Sequence, residues 1–287
     1  MKTRIGQITR RKWRMVLLCC ILALMIAALD CRLLTRTYKI DSEKINTPVR
    51  IALVTDLHAC YYGTNQKTLI AAIEKQNPDV VLLGGDIFDD ERDNTKTEIF
   101  LTQIADRYPC YYVTGNHEIW SEEAAYYDMM AFIENCGIVI LHDTVTELEF
   151  GETRINLCGM DDPSICRLGP NGSFEDRTAE QLDTISAMLN NDNYTILLSH
   201  RPTYFETEYQ NRGFDLILCG HAHGGQVRIP FLLNGLYAPN EGMFPKFAGG
   251  RYDTEDCTMI VSRGLAREST AAPRIFNRPE LVILELS

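Results

Sequence analysis

Five of the six histidines follow short apolar runs of strand length: His58, His117, His200, His221 and His223. Carboxylates and an amide stand in the same kind of position. They occur in Asp56-Leu57-His58, Gly85-Asp86-Ile87-Phe88-Asp89 and Gly115-Asn116-His117-Glu118. The other imidazoles lie in Ser199-His200 and Gly220-His221-Ala222-His223. A single histidine after a strand is most often structural. Five of them beside Asp56, Asp86 and Asn116 point to metal. Mixed imidazole and carboxylate donors suit borderline divalent ions such as Zn, Mn or Fe. A pair of such ions, about 3.5–4 Å apart, needs a shared carboxylate, and Asp86 has two oxygens to share. Asp-x-His and His-x-His each offer two ligands from one turn, and flanking glycines let the backbone come close. Cys60, near His58, reads as a packed loop thiol rather than an extra ligand. His142 lies outside every motif and reads as structural or exposed.

The elements that must position these residues are legible around them. Residues 79–83 form an apolar run, rich in β-branched and aliphatic residues, that reads as a strand buried on both faces. It delivers Asp86 at its carboxyl end, where open α/β sheets place ligands. Residues 49–55, 109–114, 194–198 and 214–219 are strands of the same kind, each ending at a motif. Residues 65–76, 96–107 and 121–135 have helical spacing; the first stops before Asn77-Pro78, and Gly137 follows the last. Residues 137–141, 145–150 and 153–158 alternate and are expected to be antiparallel. Residues 159–173 have turn composition and read as a loop over the site. Thr178-Ala179-Glu180-Gln181 reads as a capping box opening a helix to about residue 190. Residues 257–262 and 281–286 close the sheets. Strands alternate with helices early and with hairpins late. The fold expected is α/β: two packed mixed sheets flanked by helices, a four-layer sandwich with the metal site at strand ends.

The amino-terminal part has another composition. Lys2, Arg4, Arg10, Arg11, Lys12 and Arg14 precede 15 consecutive apolar residues at 15–29. A span needs about 20 residues, reached here by including 16–34 and tolerating Asp30 and Arg32. The expected organisation is a basic segment and membrane anchor at 1–34, a polar stalk at 35–48 and a catalytic domain at 49–287. Basic residues before the apolar run put the amino terminus in the cytoplasm and the domain outside the cell membrane. A cleaved signal peptide and a cytoplasm-facing body are the rival readings. Without those six cations, 22 basic residues face 39 acidic ones, a charge of −17. That argues against nucleic acid, whose binding needs clustered cations. Of ten cysteines, Cys19, Cys20 and Cys31 lie in or beside the apolar run. The other seven are odd in number and several sit in apolar runs, so they read as small buried hydrophobes rather than a disulfide framework.

The five motifs, complete and in this order, resemble the calcineurin-like metallophosphoesterase family from about residue 49 to the carboxyl terminus. Gly224-Gly225-Gln226, Val261-Ser262-Arg263-Gly264 and Arg278-Pro279-Glu280 resemble its membrane-associated bacterial phosphodiesterase branch. The resemblance implies two divalent ions. Asp56, His58, Asp86 and His223 would hold one; Asp86, Asn116, His200 and His221 the other. His117 would bind no metal and would donate a proton to the leaving oxygen, and Asp89 would support a ligand from behind. Asp90-Glu91 stand where the protein phosphatases of this superfamily carry Arg-Gly. Asp161 and Asp162 resemble a family loop whose role the sequence does not give.

The function expected is hydrolysis of a phosphate ester, a diester above all, by hydroxide formed between the two ions. The anchor points to a membrane- or envelope-associated substrate, lipid-linked phosphate among them. A nuclease or cyclic-nucleotide phosphodiesterase is the alternative. A non-catalytic binding protein on the same fold is a third reading, opposed by the complete set of seven ligands and His117.

Overall fold

The computed structural model describes residues 2–168, 174–239, 241–267 and 273–287. It opens with helix α1 (Lys2–Ala28) and strand β1 (Leu34–Ile40). There follow β2 (Val49–Val54), α2 (Lys67–Glu74), β3 (Val80–Gly84), α3 (Thr95–Ala105), β4 (Cys110–Val113), α4 (Asn116–Trp120), α5 (Glu123–Asn135) and β5 (Val139–Ile140). The second half holds β6 (Thr144–Phe150), β7 (Thr153–Met160), α6 (Phe174–Ser186), β8 (Tyr194–Ser199) and β9 (Leu216–Cys219). Two short strands, β10 (Tyr237–Ala238) and β11 (Gly242–Met243), precede β12 (Gly250–Asp253), β13 (Thr258–Val261) and β14 (Glu280–Leu286).

Two six-stranded mixed sheets result, in the orders β1-β14-β2-β3-β4-β5 and β12-β13-β9-β8-β7-β6. The period-2 alternation of each strand feeds two cores. Ile51, Leu53, Ile196, Leu198, Leu216 and Leu218 meet between the sheets. Ala52, Val54, Val81 and Leu83 face the other way, against Ile73 of α2, Phe100 of α3 and Ile133 of α5. Leu197, Ile217 and Cys219 pack against Leu182 and Ile185 of α6. The layers are therefore helix, sheet, sheet, helix, the four-layer sandwich the sequence leads one to expect.

Several local expectations are corrected. The segment expected as a stalk begins as edge strand β1, which runs parallel to β14 from Leu34↔Glu280 to Ile40↔Leu286. β5 runs parallel to β4, not antiparallel, because α5 is a crossover that returns the chain to the same edge. Helix α6 starts at Phe174, and Thr178 Oγ1 donates back to the Phe174 carbonyl, so Thr178 lies inside the helix and is no cap. Within the expected loop over the site, Pro163–Leu168 forms a 3-10 turn, and 169–173 lie outside the described residues.

The apolar stretch of helix α1 stands exposed. Its large apolar residues from Trp13 to Leu29 are 46–72% exposed. The expected span at 16–34 is not formed: the helix ends at Ala28, and among the described residues no helix is long and apolar enough to cross a membrane.

Candidate metal centre

The motifs converge where the carboxyl ends of both sheets meet. Asp56 and His58 follow β2, Asp86 follows β3, and Asn116 and His117 open α4 after β4. His200 follows β8, and His221 and His223 follow β9. Asp56, His58, Asp86, Asn116, His200, His221 and His223 are all buried. Burying that many polar groups costs free energy unless each finds a partner.

Three groups of donor atoms, each within 4.8 Å, form among the described residues: Asp56, His58 and His223; Asp86, His200 and His221; and His58, Asp89 and His117. One oxygen connects the first two. Asp86 Oδ2 lies 3.0 Å from His200 Nε2 and 3.6 Å from His58 Nε2. His221 Nδ1 is 3.3 Å from His200 Nε2, and His223 Nε2 is 3.9 Å from Asp56 Oδ1. Four atoms of this set have no hydrogen-bond partner, Asp56 Oδ2, His58 Nε2, Asn116 Oδ1 and His223 Nδ1, and Asp86 Oδ2 has only the His200 ring beside it. Buried polar atoms are normally paired, so a cluster of orphaned donor atoms fits cations. The opposite ring nitrogens are held. His58 Nδ1 is 3.1 Å from Asp89 Oδ2, and His200 Nδ1 is 2.9 Å from the Gly84 carbonyl. Such contacts fix which nitrogen keeps its lone pair for a metal.

The backbone bends sharply to achieve this. Asp56, His58, Asp86, His221 and His223 all take left-handed φ values, between 47° and 66°. Non-glycine residues rarely hold that conformation, and such strain gathers at functional sites. Gly85 is needed outright, because a Cβ there would meet His200 Nδ1 and the Gly115 nitrogen at 2.7 Å. Glu118, fully buried, ties the turns together. Its carboxylate accepts from the N–H groups of Asp86, Ile87, Phe88 and Gly115 at 2.8–3.0 Å and from the Tyr112 hydroxyl at 2.6 Å.

The charges follow from burial and proximity. Burial opposes protonation of His200, but Asp86 outweighs it and pushes the imidazole up to about 10. Burial drives His221 well down, helped by Arg201, and drives His223 well down, helped by His58. Burial also opposes the imidazolium of His117, but Asp86 and then Asp90 prevail and raise it.

His117 stands apart. Its side chain is 27% exposed, against 2% for His58 and 5% for His223. Its ring centroid lies 4.5 Å from that of His58, and its Nδ1 is 2.6 Å from Asp90 Oδ1. Asp90 was not foreseen as its partner. Nor was Arg201, whose Nε donates to Asp162 Oδ2 at 2.6 Å and whose Nη1 lies 3.5 Å from His221 Nε2. Asp162 therefore anchors Arg201, while Asp161 accepts from the Thr114 hydroxyl and pairs with His142. Cys60 accepts from the Arg267 N–H and packs in the core, in none of the metal-competent groups among the described residues.

This geometry defines a class: a four-layer α/β protein with a two-cation site at the meeting edge of its sheets. Residues 49–225 match the calcineurin-like phosphoesterases, and the chain belongs to that family. The family works with two divalent metal ions, which the donor set fits. An uncharacterized metallophosphoesterase of Campylobacter jejuni is 28% identical over 88% of this chain and 62% of its own length. One from Helicobacter pylori matches over 67% of this chain and 48% of its own, so the chain spans about half to three-fifths of these relatives. The phosphodiesterase YaeI of Escherichia coli is 26% identical, covering 83% of this chain and 82% of its own. Among solved structures, GAP50, the anchor in the inner membrane complex of Plasmodium, superposes with a TM-score of 0.50 at 12% identity over 84% of this chain and 81% of its own. That likeness concerns the fold alone.

Proposed function

We propose that this chain hydrolyses phosphate diesters held at a membrane or envelope. The observation that carries the reading is the set of orphaned buried donor atoms in two groups joined at Asp86 Oδ2. Asp56, His58 and His223 with Asp86 would hold one ion; Asp86, Asn116, His200 and His221 the other. When bound, such a pair polarises a phosphoryl group and lowers the pKa of an attacking water. The chain's own residues do the rest. Asp89 and the Gly84 carbonyl orient His58 and His200, and Glu118 fixes the turn that carries Asp86. His117, with Nδ1 held by Asp90, presents Nε2 to the leaving oxygen and gives it a proton. The likeness to YaeI supports a diester.

The purified full chain, loaded with Mn or Zn, should bind about two ions and hydrolyse a p-nitrophenyl diester. Asp86→Asn should weaken both ions and abolish turnover. An unchanged pair of ions in that variant removes Asp86 from the shared position. No hydrolysis of any diester or monoester removes the enzyme reading.

Attachment through α1 is part of the proposal. An apolar helix surface this exposed needs a cover, which the membrane would supply, with the basic residues before it meeting anionic headgroups. The full chain should then stay with the membrane pellet when cells are broken and washed in buffer. Release into the soluble fraction by that wash would remove attachment.

A further inference from the structure

Exposed large apolar side chains are not spread evenly over the body. Ile229, Phe231, Leu232, Tyr237, Met243 and Phe244 all fall within 16 residues, at 229–244. Phe231 and Leu232 are 108% and 85% exposed, at the tip of a tight turn. That turn is pinned by backbone bonds in both directions between Ile229 and Leu233, at 3.0 and 2.8 Å. Beside it lies a cavity of about 590 Å³ lined by Arg36, Arg228 and Arg263 together with the turn. Glu280 pairs with Arg36 at 3.2 Å and lies 3.4 Å from Arg263 Nε. Among the described residues Arg228 has no ion-pair partner. Burial and then Arg263 bring its guanidinium down to about 10. Three cations thus surround a cavity whose described lining carries no carboxylate, next to an apolar tip, with buried Glu280 behind two of them.

Two further contacts place this surface. The Arg228 N–H donates to the Ile275 carbonyl, and the next residue, Phe276, donates to the Ala28 carbonyl at the end of α1. The exposed apolar helix and the apolar tip are therefore rooted beside one another. The surface is also tied to the metal centre. Arg228 Nη1 donates to the Gly224 carbonyl, and Asn277 Nδ2 donates to the carbonyls of both His223 and Gln226.

We propose that Ile229, Phe231, Leu232, Tyr237, Met243 and Phe244, with Arg36, Arg228 and Arg263, dock on an anionic phospholipid bilayer and bring the metal centre to its surface. The inference rests on attachment through α1 and deepens the proposed function, because a docked centre takes its diester from the lipid headgroup layer. Charge selects the occupant. A protein groove for Phe231 and Leu232 would explain the apolar tip but not three arginines around a cavity whose described lining carries no carboxylate, whereas a bilayer offers apolar depth under a plane of phosphates.

The test uses the full chain in vesicles whose acyl chains carry bromine, a quencher of indole fluorescence. Phe231→Trp adds an indole at the tip. Tyr127→Trp adds one at an exposed site on α5, and the parent chain supplies the background of Trp13 and Trp120. Flotation is read first. Failure to co-float overturns both attachment and docking. A chain that floats, with the indole at 231 quenched no more than that at 127, keeps attachment and overturns docking. Strong quenching at 231 alone supports docking. A disulfide joining two Phe231→Cys chains without such quenching would assign the tip to a second copy and overturn the proposal. Quenching at 231 should be greater in phosphatidylglycerol:phosphatidylcholine vesicles than in phosphatidylcholine. Arg36→Gln and Arg228→Gln should each lower the inserted fraction in the anionic vesicles roughly fivefold, the usual worth of one cation at such a surface. Equal quenching in both lipids would overturn the role of the arginines.

Discussion

Asp90 and His117 meet at 2.6 Å, and the pair shows what one carboxylate does to an imidazole at the mouth of a site. With Nδ1 engaged, only Nε2 is left to face a leaving group, and the carboxylate stabilises the proton the ring must carry. A general acid typically contributes about 10²–10⁴-fold to rate. His117→Ala should lose that factor on a diester with an alkoxide-like leaving group, and far less on a p-nitrophenyl diester. Its metal content should stay at that of the parent chain. Asp90→Asn should show the same leaving-group pattern with a smaller loss. Loss of metal in His117→Ala, or equal damage on both substrates, would make His117 a ligand or a phosphate-positioning group. The sequence names His117 through its motif. It marks Asp90 only as a departure, because the turn that swings Asp90 toward His117 and Asp89 toward His58 leaves no trace in composition or spacing.

At the level of elements, the ligand turns were legible because each follows an apolar run, with a glycine before Asp86, Asn116 and His221. What held the turns together was not. Glu118 sits in a readable motif, yet its five donors come from β4, from α4's own entry and from the turn after β3, and only folding assembles them. Glu118→Gln keeps the volume but turns one acceptor oxygen into a donor facing N–H groups. At about 1–3 kcal/mol for each buried group left unpaired, two such groups give roughly 2–6 kcal/mol. Thermal unfolding should fall by several degrees, at about 2–4 °C per kcal/mol for a domain of this size. The second ion should weaken too, because Asp86 loses its anchor. An unchanged midpoint would mean that the network is redundant. Strand β1 escaped the sequence reading for a different reason. Its Leu-Thr-Arg-Thr-Tyr-Lys-Ile alternation suits a half-exposed edge but looks like linker beside a polar tract, and its partner β14 lies at the other end of the chain. Helix α6 starts four residues before the capping-box pattern suggests, because the Thr178 hydroxyl turns back into the helix instead of capping it.

For the whole molecule, the important property is which sheet supplies which ligand. Asp56, His58, Asp86 and Asn116 follow strands of the first sheet; His200, His221 and His223 follow strands of the second. Two of the three donor groups cross between them, Asp56 and His58 with His223 and Asp86 with His200 and His221, while His58, Asp89 and His117 all follow strands of the first sheet. Ions in the two crossing groups would fasten the two sheets at the very edge where the strained turns gather, while the apolar core joins the sheets below. A ligand that binds only the folded state stabilises it by RT ln(1 + [L]/Kd), about 2.7 kcal/mol at a hundredfold excess over Kd. At about 2–4 °C per kcal/mol, chelation of the loaded chain should lower the unfolding midpoint by roughly 5–11 °C. The loss should be reversed by Mn or Zn and shrunken in Asp86→Asn, which sits at the junction of both groups. Hydrogen exchange should place the loosening in the turns after β3 and β9, not in the core strands. A midpoint that stays put while the ions leave would show that the sheets are held by the core alone and that the metal edge serves only chemistry.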